Sequence, residues 1–91
     1  MTAGDGGWTL RYSRAAEKDI ARLDPPIRRR ILRALGHLAE DPRSARGLRK
    51  LSGRSESRLR VGDWRVVLDI AASTNEIDVH RVLPRGRAYD R

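Results

Sequence analysis

Hydrophobic positions recur along the chain with two different periods, and the changes of period mark its elements. Between Trp8 and Ser13, the residues Trp8, Leu10 and Tyr12 alternate with Thr9 and Arg11, the period-two pattern of a half-buried strand. Ser13 suits a helix cap. Ala16, Ile20 and Leu23 then follow at i, i+4, i+7 with charges between them, which predicts a short amphipathic helix from Arg14 to Leu23. Asp24-Pro25-Pro26 ends that helix and opens the next, with Asp24 as cap and the prolines tolerated in the first turn. Ile27, Ile31, Leu35 and Leu38 recur at helical spacing, and Arg28, Arg29, Arg30 and Arg33 fall mostly on the other side, until Glu40-Asp41-Pro42 stops the run. Two antiparallel helices joined by a short proline turn make a hairpin with one apolar side each.

After a loop, the stretch GLRKLSGRSES reads as a basic connector pinned to the core by Leu48 and Leu51. Three strands are predicted beyond it, over Glu56 to Val61, Trp64 to Ala71 and Ile77 to Leu83, with Pro84 ending the last and the tail RGRAYDR following. The order β-α-α-β-β-β predicts an α+β fold: a small, mostly antiparallel sheet with the N-terminal helical hairpin packed on one face. Residues 1–7, short, polar and Gly-rich, read as a flexible N-terminus, and 8–91 as a single domain.

Gly62-Asp63 fits a two-residue hairpin loop of type II′, with Gly at the first central position. That turn sets a register in which Val61 faces Trp64, Arg60 faces Arg65, Leu59 faces Val66 and Arg58 faces Val67. Alternation then puts Leu59, Val61, Trp64, Val66, Leu68 and Ile70 on one face, under the helices. Arg58, Arg60, Arg65, Val67 and Asp69 take the other. Two arginines directly opposite each other are unfavourable in a bare sheet. An ordinary solvated face would interleave acids, and only Asp69 and Glu56 supply them, so the pattern favours an anion such as phosphate over a plain solvated surface.

Composition sharpens this. Twenty basic residues against twelve acidic ones give a formal charge of +8, and eighteen of the twenty are Arg. Genomic base composition accounts for most of the Arg:Lys ratio. It does not account for the net charge, which implies an anionic partner: nucleic acid, an acidic protein segment, or both. With no Cys there is no disulfide and no thiolate nucleophile or metal ligand, and His37 and His80 form no ligand-spaced cluster. No apolar run approaches membrane-spanning length, and the N-terminus lacks the apolar segment of a signal peptide, which leads us to expect a cytoplasmic protein.

The stretches RLRVGDWRVVLDI and VHRVLPRGRAY, with the LRKLSG connector and the order of elements, resemble the RelE/ParE toxin superfamily of bacterial toxin-antitoxin systems from Trp8 onward. The resemblance implies the sheet-and-hairpin fold derived above. For the RelE-like branch, which it favours, it implies an endoribonuclease that cuts mRNA in the ribosomal A site, without metal or other cofactor. There the 2′-hydroxyl attacks the adjacent phosphate to give a 2′,3′-cyclic phosphate and a 5′-hydroxyl. By position, Arg58, Arg65, Arg85 and Tyr89 are the implied catalytic residues, and Arg60, Arg87 and Lys50 the implied phosphate contacts. Arg65 and Arg85 would neutralise the phosphorane, Arg58 would orient the phosphate, and Tyr89 would stack on a base or help move protons.

A guanidinium is effectively always protonated, so the general base is not among the arginines. Glu56 is a candidate, though solvent exposure is the reading we favour for it, and His80 reads as a buried, hydrogen-bonded structural histidine. The ParE-like branch shares the fold, lacks ribonuclease chemistry and poisons DNA gyrase; a non-enzymatic basic module is a third reading. Either toxin reading implies a cognate acidic antitoxin that folds over the cationic face and helical hairpin in a heteromeric complex, with no membrane involved.

Overall fold

Ser13 joins the first strand, β1 (Thr9–Tyr12), to the first helix, α1 (Arg14–Ala21), in a computed structural model that describes residues 7–42, 47–50 and 56–85. Its Oγ accepts the Ala16 N–H at 3.0 Å, satisfying one of the donors that a helix start leaves open. The same hydroxyl donates to the His80 carbonyl at 2.8 Å, so the cap also ties the helix to the last strand. α1 stops two residues before the periodicity predicts. The chain turns at Arg22, and the second helix, α2 (Pro25–Glu40), begins with both prolines in its first turn and Asp24 at the cap position without a side-chain hydrogen bond.

Arg28, assigned by pattern to the outer side, instead clamps the helical hairpin. Its Nε donates to the Ile20 carbonyl at 3.2 Å and its Nη2 to those of Ala21 and Leu23 at 3.3 and 3.0 Å. These carbonyls lie at and just past the end of α1, where the helix leaves acceptors open; that of Ile20 also takes the Leu23 N–H at 3.1 Å, and a cation there meets the negative end of the helix dipole.

The remaining elements are β2 (Leu48–Lys50), β3 (Glu56–Val61), β4 (Trp64–Ala71) and β5 (Glu76–Pro84). They form one sheet with β1 in the order β1-β5-β4-β3-β2, parallel at β1–β5 and antiparallel elsewhere. The α+β architecture and the helical hairpin on one face match the expectation, but the basic connector is corrected: part of it is a fifth strand, pairing Leu48, Arg49 and Lys50 with Leu59, Arg58 and Ser57. Three residues are too few to display alternation. Gly47 admits the connection, since it holds φ at +80°, accepts the Arg60 N–H at 3.0 Å, and would bring a Cβ within 3.1 Å of the Arg60 carbonyl oxygen.

The β3–β4 hairpin has the register that the Gly-Asp turn predicts, residue for residue from Val61–Trp64 to Glu56–Asp69. Gly62 has φ +59° while Asp63 is not in the left-handed region, as a type II′ turn requires. β5 contains an irregularity. Leu68 pairs with Val79 and Val67 with Arg81, so His80 lies in a bulge. Before it Ile77 and Val79 face the helices; after it Val82 does, so that Arg81 stays out of the core. Ile31, Leu35 and Leu38 of α2 and Ala16 of α1 pack with Leu59, Val61, Val66, Leu68, Ile77, Val79 and Val82, with Trp64 half-buried at the margin.

Past the end of β1, α1 takes over the edge of β5. Asp19 accepts the Val82 N–H at 2.8 Å, replacing a ladder partner, and binds Arg81 through Nε at 2.8 Å and Nη2 at 3.2 Å. Burial pushes the Asp19 carboxyl up, but the hydrogen bonds from Arg81 and Val82 and the charges of Arg81 and Arg22 outweigh it and hold the group below its ordinary value.

Candidate nucleic-acid interface

The sheet face opposite the helices carries the candidate site, and the strand register fixes its rows. Arg60 lies directly across from Arg65, and Arg58 across from Val67. β2 extends the row by setting Arg49, exposed, opposite Arg58. Arg49 is a basic position that the connector reading missed. Lys50 pairs through its backbone with Ser57, one step off that row. At the hairpin turn the Arg85 N–H donates to the Asp63 carbonyl at 2.8 Å, which brings Arg85, exposed, to the same end of the sheet as Arg60 and Arg65. Arg87 and Tyr89 lie outside the described residues.

The arginines do not play equal parts. Arg60 is exposed and Arg58 half-buried, whereas Arg65 is only 7% exposed. Its Nη1 donates to the carbonyls of Gly62 and Trp64 at 3.1 and 2.9 Å. Those carbonyl dipoles offset the like-charge encounter with Arg60, and the guanidinium staples the turn that presents its neighbours. Gly62 is held from the other side as well, because a Cβ there would sit 3.0 Å from the Arg30 guanidinium of α2.

Charge is graded along the face. Arg58, Arg60, Arg65 and Arg85 occupy the hairpin end, while Glu56, Asp69 and Asp78 share a row toward the other end. Arg11 on β1 answers Glu76 at 3.3 Å and Asp78 at 3.7 Å. Val67, buried yet separate from the main core, forms the apolar centre. Beside it His80 Nε2 lies 2.9 Å from Asp69 Oδ2. The expected hydrogen bond is present, but the expected burial is corrected: the His80 side chain is 42% exposed, because the bulge lifts it out of the ladder. A second feature opens between α2 and β3, a groove of about 510 Å³ lined by Arg30, Arg33 and Arg60 together with His37, Glu40 and Asp41, and by the buried Leu38 and Leu59. Among the described residues no helix is long and apolar enough to cross a membrane.

Comparison with known proteins identifies this frame. The family model for the ParE toxin of the type II toxin-antitoxin system, parDE, matches residues 10–89. No curated protein sequence matches the chain. Among solved structures, the chain is similar to the archaeal RelE–RelB complex from Pyrococcus horikoshii OT3, at 25% identity and a TM-score of 0.77, over 88% of this chain and 97% of that one. It is also similar to the RelBE2 toxin-antitoxin complex of Mycobacterium tuberculosis, at 25% identity and a TM-score of 0.73, over 86% and 98%. The intact E. coli RelBE complex, 22% identical with a TM-score of 0.71 over 86% and 96%, shares the fold. With a family match running from the first strand into the tail, and RelE structures superposing on its sheet and helical hairpin, the chain belongs to the RelE/ParE superfamily, as a toxin of a type II toxin-antitoxin system.

Proposed function

We propose that this toxin is a RelE-like endoribonuclease that cuts mRNA on the ribosome, acting in the cytoplasm. The observation that carries the reading is the register that gathers Arg49, Arg58 and Arg60 on one open face, with Arg85 tied to the adjoining turn. Such a surface matches a phosphodiester that gains charge on the way to a phosphorane, where fixed cations act most strongly. In this mechanism Arg58 and Arg60 grip the phosphate, Arg85 neutralises the charge that develops, and Arg65 supplies a fixed positive charge while holding the turn. Tyr89 stacks on a base or moves protons, and Arg87 and Lys50 contact flanking phosphates. The likeness to RelE structures at TM-scores up to 0.77 supports this branch.

The match to a ParE toxin model favours a second reading, a DNA gyrase poison without ribonuclease activity. Expression in cells separates the two. Truncated transcripts with ends inside coding sequence support the first; intact transcripts with DNA breaks overturn it in favour of the second.

The partner we propose is an acidic antitoxin. The three arginines and the apolar floor of the α2–β3 groove suit an amphipathic acidic segment, with Glu40 and Asp41 confining its acids to the side of Arg30, Arg33 and Arg60, and the solved relatives from Pyrococcus and Mycobacterium are toxin-antitoxin complexes.

A further inference from the structure

The cleavage proposed above needs a group that takes a proton from the 2′-hydroxyl, and its arginines cannot. Within reach on the same face are Glu56 on β3, Asp69 on β4, Glu76, Asp78 and His80 on β5, and the cations Arg58 on β3 and Arg11 on β1. Glu76 and Asp78 are engaged by Arg11, and Asp69 by His80. His80 is the one imidazole on this face among the described residues, and its other ring nitrogen, Nδ1, has no partner there.

Three features set this histidine apart from a sheet residue that merely pairs. It stands in a bulge, where the ladder is interrupted and a side chain can be re-aimed. Its side chain is 42% exposed, and it borders a cavity of about 240 Å³ lined by Arg11, Tyr12, Ser13, Asp78 and Val79. Finally, a carboxylate 2.9 Å from Nε2 selects the tautomer with the proton on Nε2, leaves the lone pair on Nδ1, and stabilises the imidazolium once formed.

We propose that His80, oriented by Asp69, is the proton acceptor for the 2′-hydroxyl; the inference rests on the ribonuclease reading. Nδ1 takes the 2′-hydroxyl proton as the 2′-oxygen forms its bond to phosphorus. The bond from phosphorus to the 5′-oxygen breaks, its electron pair staying on oxygen, which takes a proton from solvent. The imidazolium then returns its proton to solvent, so composition and charge balance. The substrate ribose lies across β4 over Val67, with its phosphate toward the arginines of the hairpin end. His80 is then the catalytic base and Asp69 a positioning residue.

The test is single-turnover cleavage of mRNA on programmed ribosomes by the purified toxin, measured across about pH 5 to 8, the range in which an imidazole ordinarily titrates. His80→Gln should lower the rate by roughly 10²–10⁴-fold, the usual contribution of a general base. It should also lose the acidic limb of the wild-type profile while its circular dichroism spectrum is unchanged. Asp69→Asn should give a smaller loss and shift that limb. Added imidazole should restore part of the activity of His80→Ala, which a purely structural histidine would not allow, and this holds even where the variants are less stable. If wild type cleaves and His80→Gln keeps both its rate and its profile, the assignment of His80 is overturned and the ribonuclease reading stands. If wild type cleaves nothing on ribosomes, both fall.

Discussion

Replacing Arg65 with alanine removes a buried guanidinium from under the β3–β4 turn, and the structure makes that a loss of stability before it is a loss of chemistry. Two charge-assisted hydrogen bonds go, from Nη1 to the carbonyls of Gly62 and Trp64. A hydrogen bond involving a charged group contributes about 1.5–3 kcal/mol. Both bonds here come from one nitrogen, and turn carbonyls regain water once released, so the pair is worth about 2 kcal/mol. Lost packing of the arginine stem, 7% exposed in the fold, adds about 1 kcal/mol. A domain of 91 residues has a total stability of roughly 5–14 kcal/mol, so a loss of about 3 kcal/mol is a large share. At about 4–8 °C per kcal/mol for this size, Tm should fall by roughly 12–24 °C. Thermal melts followed by circular dichroism check this, with Arg60→Ala as the exposed control, expected to change stability by less than about 0.5 kcal/mol. An Arg65→Ala protein melting within about 3 °C of wild type would refute the staple. Loss of toxicity in that variant is therefore interpretable only beside its melting curve.

Other consequences follow from the contacts. Asp19 is held below its ordinary value in the fold, so its contribution is present above the unfolded carboxylate range near about pH 4 and is lost as pH falls through the lower folded value. Asp19→Asn should melt earlier at neutral pH and show a shallower acid dependence in urea titrations; parallel curves would contradict this. Arg28→Ala should cost about 1–2 kcal/mol and speed amide exchange at the end of α1, since three carbonyls lose the guanidinium and only that of Ile20 keeps a backbone donor among those described. Unaltered exchange there would rule out the clamp. Gly62→Ala should cost about 1–2 kcal/mol by forcing a left-handed φ on a side chain that also meets Arg30, with equilibrium unfolding as the readout and a neutral result as the contradiction.

The hairpin that carries the arginines was legible because its turn chemistry is strongly constraining. Once Gly62-Asp63 is read as type II′, Arg60 must face Arg65, and alternation does the rest. The helices were legible for the related reason that Ile31, Leu35 and Leu38 repeat at the helical period along the buried side. Other features resisted because they depend on partners distant in sequence. β2 is a strand only because Arg49 finds Arg58, and three charged and apolar residues carry no period of their own. The burial of Arg65 depends on carbonyls of the turn it follows, and the role of Arg28 on where α1 ends. The bulge at His80 was missed although VHRVL breaks strict alternation: Val79 and Val82 share the buried face only if an extra residue intervenes, and which residue bulges is set by the β4 partner. Had β5 been registered against β4, Asp69 opposite Asp78 would have placed His80 diagonally beside Asp69.

The central claim is that the open arginine face holds an RNA phosphate during cleavage. Its most direct measurement is the chemistry of the ends produced when the purified toxin meets mRNA on programmed ribosomes, for wild type and for Arg60→Ala, a substitution that leaves the fold intact. The account predicts fragments ending in a 2′,3′-cyclic phosphate paired with 5′-hydroxyl fragments, and cleavage at least about tenfold slower with Arg60→Ala, the loss of one charge-assisted phosphate contact. Uncut mRNA from the wild type, or an Arg60→Ala protein that cuts as fast as wild type, would contradict it.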